Sequence, residues 1–389
     1  MNSSLFCLDA TPLDSGHIYR GVGAYVSGLI TALEQCGPNL PLLKLRFSRR
    51  LRDHHKRTGS EFFVFRPSER SRLHWLYQTF LLSQDVRSTE AAWYHATDFR
   101  GIPIHQRFKT LATAYDLVPL RFPHEYLETK PLDIRLAFRS MTKRYQQAEH
   151  LVAISQATKR DFVEYLQIDP SRISVIPLGF DDALFKPSVL EEQLRIKTGD
   201  KYFLYIGAQD FRKNIRFMLA SFARIQHQVK EKFVFAGKQD ARTKEQFQRW
   251  VKELGLERRV VDLDFVPLEW LPGLYSSATA FVFCSLYEGF GLPMLEAMGC
   301  GCPVLASNTS SIPEVVGDAG ICVDPTDEIV TSERMVELAI SQNPRNELIA
   351  KGFERAQLFS WRRCATSTLN LYHKLANGST FDDEQKNSI

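Results

Sequence analysis

The chain has 389 residues, 44% apolar and 24% charged, with a net charge of +4. That balance belongs to globular proteins of two or three domains and excludes a disordered chain. Seven scattered cysteines exclude a disulfide framework, and the pair Cys300 and Cys302 lacks the second ligand pair of a zinc site, so a reduced cytoplasmic setting is expected. No run of about 18 apolar residues is present to span a membrane, and the opening MNSSLFCLDATPLDSG does not read as a signal peptide.

Residues 4–9 read as a strand, followed by a loop of small residues and a helix from Ala24 to Gln35 with Tyr25, Leu29 and Leu33 on one stripe. Next comes a basic run, Lys44, Arg46, Arg49, Arg50, Arg52, Lys56 and Arg57, opposed only by Asp53. The aromatics Phe62, Phe63, Phe65, Trp75, Tyr77 and Phe80 follow it. The run reads as a solvated helix face beside a buried strand or, in a sharper reading, as a face for anionic lipid headgroups. Strands are expected at 91–95, 110–115, 150–154 and 173–177, with helices near 131–147 and 156–166. Asp116 follows the second of these strands, at a strand end where site residues collect.

LGFDDALFKPS, after Pro177, has no period and reads as a linker. A second series then begins: strands at 201–206, 232–236, 260–266, 279–284 and 303–306, and helices at 214–228, 243–254, 270–277 and 293–299. A last helix spans about 360–376. Such alternation argues for parallel sheets covered by helices, twice over. The expected fold class is α/β, with two doubly wound Rossmann-like domains facing a central cleft. The expected boundaries are 1–180 and 181–359, with helix 360–376 packing back on the first domain and 377–389 a disordered tail.

Most of the chemistry is concentrated in EGFGLPMLEAMGCGCP, Glu288 to Pro303. It leaves an apolar strand, passes a glycine-rich turn and enters a helix at Pro293, where proline suits the first turn. Gly289 and Gly291 let backbone N–H groups approach a ligand beside a helix N-terminus, which favours anions. Glu288 and Glu296 flank that turn, and carboxylates accept hydrogen bonds from sugar hydroxyls. Phosphates between two sets of hydroxyls are the layout of a nucleotide sugar.

This segment resembles the donor-site motif of retaining glycosyltransferases of family four, which have the GT-B fold, and the likeness to surface-polysaccharide mannosyltransferases covers most of the chain. Gly21-Val22-Gly23, AISQATKRDF (153–162), VIPLGFDDALFKP (175–187), YIGAQDFRKN (205–214) and SSIPEVVGDAGICVDP (310–325) carry the rest of it. The resemblance implies that Glu288 and the backbone of Gly289, Phe290, Gly291 and Leu292 hold the donor sugar and diphosphate. Glu296 would take the ribose hydroxyls, and Arg212 and Lys213 would stabilise the leaving diphosphate. Gly21 and Gly23 would close on that diphosphate, and Asp116 would count among the catalytic residues. Two positions depart from the pattern: Ala208 stands where many relatives have Arg, and Tyr115 where many have His.

Asp262-Leu263-Asp264 matches a metal-holding Asp-x-Asp but lies in an alternating strand pattern with both carboxylates on one face, so it reads as structural. His54, His55, His95, His105 and His124 show no metal spacing to an acidic or cysteine partner. A metal-independent enzyme without a cofactor is expected. It would transfer mannose from GDP-mannose to a glycan or polyprenyl-diphosphate-linked acceptor in polysaccharide or O-antigen synthesis, with retention. It would act in the cytoplasm, peripheral at the inner membrane face, and bind no nucleic acid. The alternatives are a UDP- or TDP-sugar transferase, an epimerase or phosphorylase of similar build, and a non-catalytic nucleotide-sugar-binding scaffold.

Overall fold

A computed structural model of the chain describes residues 4–15, 21–48, 50–65, 81–104 and 108–378. Arg49, Trp75, Tyr77, Phe80, His105 and residues 379–389 of the expected tail lie outside them. Short strands buried on both faces run through the chain, the pattern that parallel sheets require. The chain divides into two compact units, Met1–Gly179 with Trp361–Ile389, and Phe180–Ser360.

In the first unit the strands are β1 (Phe6–Asp9), β2 (Leu42–Ser48), β3 (Lys56–Thr58), β4 (Glu61–Phe65), β5 (Trp93–Ala96), β6 (Lys109–Ala114), β7 (His150–Ala153) and β8 (Ile173–Val175). They form one sheet in the order β3-β4-β2-β1-β5-β6-β7-β8, parallel except where β3 meets β4. Its helices include α1 (Gly21–Cys36), α2 (Leu82–Ser88), α3 (Leu132–Gln147) and α4 (Gln156–Leu166). Ser155 caps α4 by accepting from Thr158 N–H.

The second unit has β9 (Tyr202–Ile206), β10 (Lys232–Ala236), β11 (Val260–Asp262), β12 (Ala280–Phe283), β13 (Val304–Ser307) and β14 (Gly320–Val323), all parallel, in the order β11-β10-β9-β12-β13-β14. Among its helices are α5 (Ile215–Ala223), α6 (Ala241–Glu253), α7 (Leu271–Ser277), α8 (Leu292–Gly299), α9 (Glu328–Ile340) and α10 (Gln342–Gln357). The strand order reverses between β9 and β12, and in the first unit between β1 and β5. In such sheets the crevice for a ligand opens at that reversal, beyond the carboxyl ends of the strands. The last helix, α11 (Trp361–Asn377), packs on α1 of the first unit. Its Trp361 lies so close to Gly28 that a Cβ there would overlap the indole ring.

The fold corrects several local expectations. Helix α1 starts at Gly21, three residues before the expected Ala24, so Gly21 and Gly23 form its first turn instead of a preceding loop. Helix α5 stops at Ala223, where the chain tightens into turns closed by Ile225 N–H to Phe222 O and Gln228 N–H to Ile225 O. Strand β11 ends at Asp262, because that carboxylate accepts the Asp264 N–H (3.0 Å) while Asp264 turns into the left-handed region at φ +53°. The two aspartates therefore do not share a strand face, and Asp264 pairs with Lys244 at 3.3 Å.

Among the described residues the basic run forms no α-helix face either, Arg52 lying in the single turn Leu51–Asp53. Lys44 and Arg46 alternate on β2 with the buried Leu43 and Leu45, paired respectively with Glu34 (2.7 Å) and with Asp14 and Glu61. Lys56 and Arg57 lie on the edge strand β3, where exposed charge blunts pairing with other chains. No helix among the described residues is long and apolar enough to cross a membrane.

Candidate active site

Two loops meet at the strand-order reversal of the second unit, one leaving β9 and the other leaving β12. The first turns tightly over Phe211–Lys213, where Asp210 accepts the Arg212 N–H at 3.2 Å. Asn214 then takes a left-handed conformation, φ +56°. Its amide donates to Cys284 O (3.2 Å) and Pro325 O (2.8 Å), tying this loop to the end of β12 and to the segment after β14.

That anchoring sets two cations on one carboxylate. Lys213 Nζ lies 2.6 Å from Glu288 Oε1, and Arg212 Nη1 lies 2.6 Å from Oε2 and 3.0 Å from Tyr287 O. Glu288 is 7% exposed. Burial works against its charge, but Lys213 and Arg212 outweigh burial and hold its pKa below the ordinary range. Burial draws Lys213 below its ordinary value, and Glu288 pulls the other way. Its ammonium also stands 4.9 Å over the ring of Phe283. Asp210 Oδ1 lies 3.9 Å from Arg212 Nε, so a second carboxylate stands beside the two cations.

The turn itself is held from below. Ser311 donates its hydroxyl to Glu288 O (2.8 Å) and Phe290 O (2.9 Å), and Glu288 N–H reaches Ser310 Oγ at 2.8 Å. Gly291 closes it at φ +111°, and α8 begins at Leu292 with no side chain capping its first N–H groups. Uncapped N–H groups at a helix start are ready donors for an anion. Glu296, farther along α8, accepts the hydroxyl hydrogen of Tyr275 at 3.0 Å, and burial raises its pKa to about 7.

The structure thus joins Arg212, Lys213 and Glu288 in one cluster, with Gly289, Phe290, Gly291 and Leu292 forming the adjacent turn. Glu296 has Tyr275 as its partner instead of the two cations. Gly21, Gly23 and Asp116 belong to the other unit. Asp116 lies just past β6 and accepts the Val118 N–H at 3.4 Å. The Tyr115 hydroxyl is spent on Thr97 O at 2.5 Å, which removes it from the sugar-binding part its chemistry would allow.

Asn214, Tyr275, Ser310 and Ser311 are positioning residues that sequence reading left without roles. Their types suit turns and hydrogen bonds anywhere, so no local pattern marks them.

The histidine reading needs one correction. Asp85 on α2 lies 2.8 Å from His55 Nε2 and 3.7 Å from His54 Nε2, an acidic partner that sequence spacing hides. This is the one group of possible ligand atoms brought together among the described residues. Of the two histidines, His55 is within hydrogen-bonding distance of that carboxylate, while the Phe65 N–H donates to His54 Nδ1 at 3.0 Å. The arrangement is that of a hydrogen-bonded carboxylate.

Comparison with known proteins agrees with this fold. Residues 19–184 match the family described as Glycosyltransferase Family 4, and residues 188–355 match Glycosyl transferases group 1. The O-antigen chain mannosyltransferase B of Escherichia coli is 31% identical over 299 residues, covering 72% of this chain and 74% of its own. Among solved structures, a sucrose-phosphate synthase of Thermosynechococcus elongatus superposes with a TM-score of 0.78 at 21% identity over 97% of this chain and all of its own. Anabaena HepE, solved with UDP and glucose, superposes with a TM-score of 0.71 at 18% identity over 95% of this chain and all of its own. With two α/β units built on largely parallel sheets, Arg212 and Lys213 gathered on Glu288 at the reversal of the second sheet, and matches over both units, the chain belongs to the family-four, GT-B glycosyltransferases.

Proposed function

We propose that the enzyme transfers mannose from GDP-mannose to a glycan or lipid-linked oligosaccharide, with retention at the anomeric carbon, in the synthesis of a surface polysaccharide. One observation carries the reading: Arg212 and Lys213 converge on Glu288 beside the uncapped start of α8. The two cations and the helix N–H groups receive the diphosphate, Glu288 orients the sugar through its hydroxyls, and Glu296 accepts from the ribose.

In the transfer, the acceptor oxygen forms a bond to the anomeric carbon as the bond to the diphosphate oxygen breaks. Negative charge grows on the leaving diphosphate, where Arg212 and Lys213 act most strongly because they are fixed before the reaction begins. Glu288 is engaged by both cations, so it serves poorly as a covalent nucleophile. The departing phosphate oxygen takes the acceptor's proton, on the same face that the new bond forms. The charge balance comes from the two side chains, so no divalent ion is required. Acceptor binding falls to the first unit, with Asp116 at the carboxyl end of β6.

Mannose is favoured by the O-antigen mannosyltransferase relative. The UDP held by Anabaena HepE marks the alternative donor class. A donor panel read by nucleotide release decides between them, together with thermal shifts. A ligand at 100 times its Kd stabilises by about 2.7 kcal/mol, so GDP should raise Tm clearly more than UDP or TDP at equal concentration. A larger shift with UDP overturns the donor, and binding without transfer to any acceptor favours the scaffold reading.

A further inference from the structure

The first two turns of α3 carry an apolar and basic surface that the transfer chemistry does not use. Leu132, Ile134 and Leu136 are 66, 47 and 52% exposed. At 100° per residue, Ile134 heads a stripe that continues through Phe138 and Met141 to the buried Tyr145. Leu132 and Leu136 lie on the opposite side and continue as the exposed Arg135, Arg139 and Lys143. Apolar side chains thus stand out on both sides of one helix tip. Beside it lies an open groove of about 380 Å³, lined by Leu120, Leu127 and Phe138 together with Glu128, Arg135 and Arg139.

Charge on this tip is predominantly positive, with the exposed Glu128 lining the groove beside Arg135 and Arg139. Asp133 is the only acid between Lys130 and Arg144. Lys130, Arg135, Arg139 and Lys143 are exposed, and none has an ion-pair partner among the described residues. A second copy of the same surface would meet this charge with its own. An anionic bilayer offers what the tip lacks, an apolar layer beneath a plane of phosphates.

We propose that the start of α3 is a membrane-contact surface, with Leu132 and Leu136 entering the headgroup–acyl boundary and Lys130, Arg135, Arg139 and Lys143 resting on anionic headgroups. The earlier basic run is the weaker candidate, since Lys44 and Arg46 are already neutralised by Glu34, Asp14 and Glu61. The proposal stands apart from the donor and mechanism assignments.

The test is co-sedimentation of the full chain with vesicles of phosphatidylcholine alone and of equal parts phosphatidylcholine and phosphatidylglycerol. Binding is expected at low salt to the mixed vesicles only. Each basic residue near such a surface is worth about fivefold in partitioning, so Arg135→Gln, Arg139→Gln and Lys143→Gln combined should weaken binding on the order of a hundredfold. Leu132→Ser with Leu136→Ser should weaken it at least about tenfold, with Tm and activity on a short soluble acceptor unchanged. The proposal is overturned if the wild-type chain ignores mixed vesicles at low salt, or if both variants bind as it does. A marked drop in Tm of the leucine variant, or a dimer in sedimentation velocity that this variant dissociates, equally overturns it by showing that protein covers the tip.

Discussion

Tyr275 donates its phenolic hydrogen to Glu296 Oε2 across 3.0 Å, so the carboxyl group assigned to the ribose already holds one partner in the free protein. Burial lifts the Glu296 pKa from 4.5 to about 7, and the Tyr275 bond offsets only part of that. With the folded pKa above the unfolded one, the folded chain holds the extra proton between these values. Stability contributed at low pH is therefore lost as pH rises from about 4.5 to 7. Glu296→Gln cannot titrate, so its Tm relative to wild type should climb from pH 5 to pH 8 in the absence of nucleotide. An equal Tm difference at both pH values would refute the assignment. With the carboxylate gone, affinity for the free nucleoside diphosphate should also fall.

Glu288→Gln leaves Arg212 and Lys213 facing each other without their shared counter-charge. The stability loss should be on the order of 2 kcal/mol, below the 3–5 kcal/mol typical of a broken buried pair because Arg212 keeps some contact with solvent. Turnover should fall far more than nucleotide affinity, since the carboxylate's assigned partner is the transferred sugar. Chemical denaturation and a nucleotide titration on the same preparation separate the two effects. Near-normal turnover would remove Glu288 from the reaction.

Lys213→Ala and Arg212→Ala should each lower kcat, by about a hundredfold for the loss of one preorganised charge, with the larger effect at Lys213. Activity should persist in EDTA. Loss with EDTA and recovery with manganese would transfer the phosphate role to a metal ion.

Gly291→Ala tests the turn itself. At φ +111° an alanine is strained, and its Cβ would press on the Met294 methyl group. The methyl can move aside, but the backbone cannot relax without shifting the start of α8. A cost of about 1–3 kcal/mol in denaturant unfolding is expected, with weakened donor binding. A stable variant with wild-type nucleotide affinity would show that the N–H groups of this turn do not hold the donor.

Tyr372→Phe tests how the last helix is held on the first unit. The Tyr372 hydroxyl lies 2.7 Å from His95 Nδ1, and His95 Nε2 lies 3.0 Å from Thr113 Oγ1, all buried. Burial pushes the His95 pKa down to about 3, so the ring stays neutral and needs the hydroxyl as a partner. Removing it should cost about 1–3 kcal/mol, the penalty of one unsatisfied buried group. An unchanged unfolding midpoint would mean that α11 is held by packing against α1 and Phe6 alone.

Short-range pattern was enough to place most strands and helices of both units. Buried runs such as Tyr202–Ile206 and Lys232–Ala236 carry their own signal, and so does the passage from β12 through Gly291 into α8. A glycine at positive φ followed by proline in a first helical turn is local chemistry, readable without knowing what packs nearby. Charge misled where period would have served. On β2 the alternation of Leu43 and Leu45 with Lys44 and Arg46 is a strand signature, yet the basic run as a whole resembles a helix face. The cluster at the site lies beyond any such reading. Arg212 and Lys213 follow β9 and Glu288 follows β12, some 75 residues later. They meet because β9 pairs with β12 where the sheet reverses its order. Asp85 likewise reaches His55 from another element, 30 residues away. Periodicity records which face of a strand is buried but not which strand lies beside it. That neighbour is selected by the packing of the whole sheet and its helices, and so only the tertiary structure decided that the two cations would share one carboxylate.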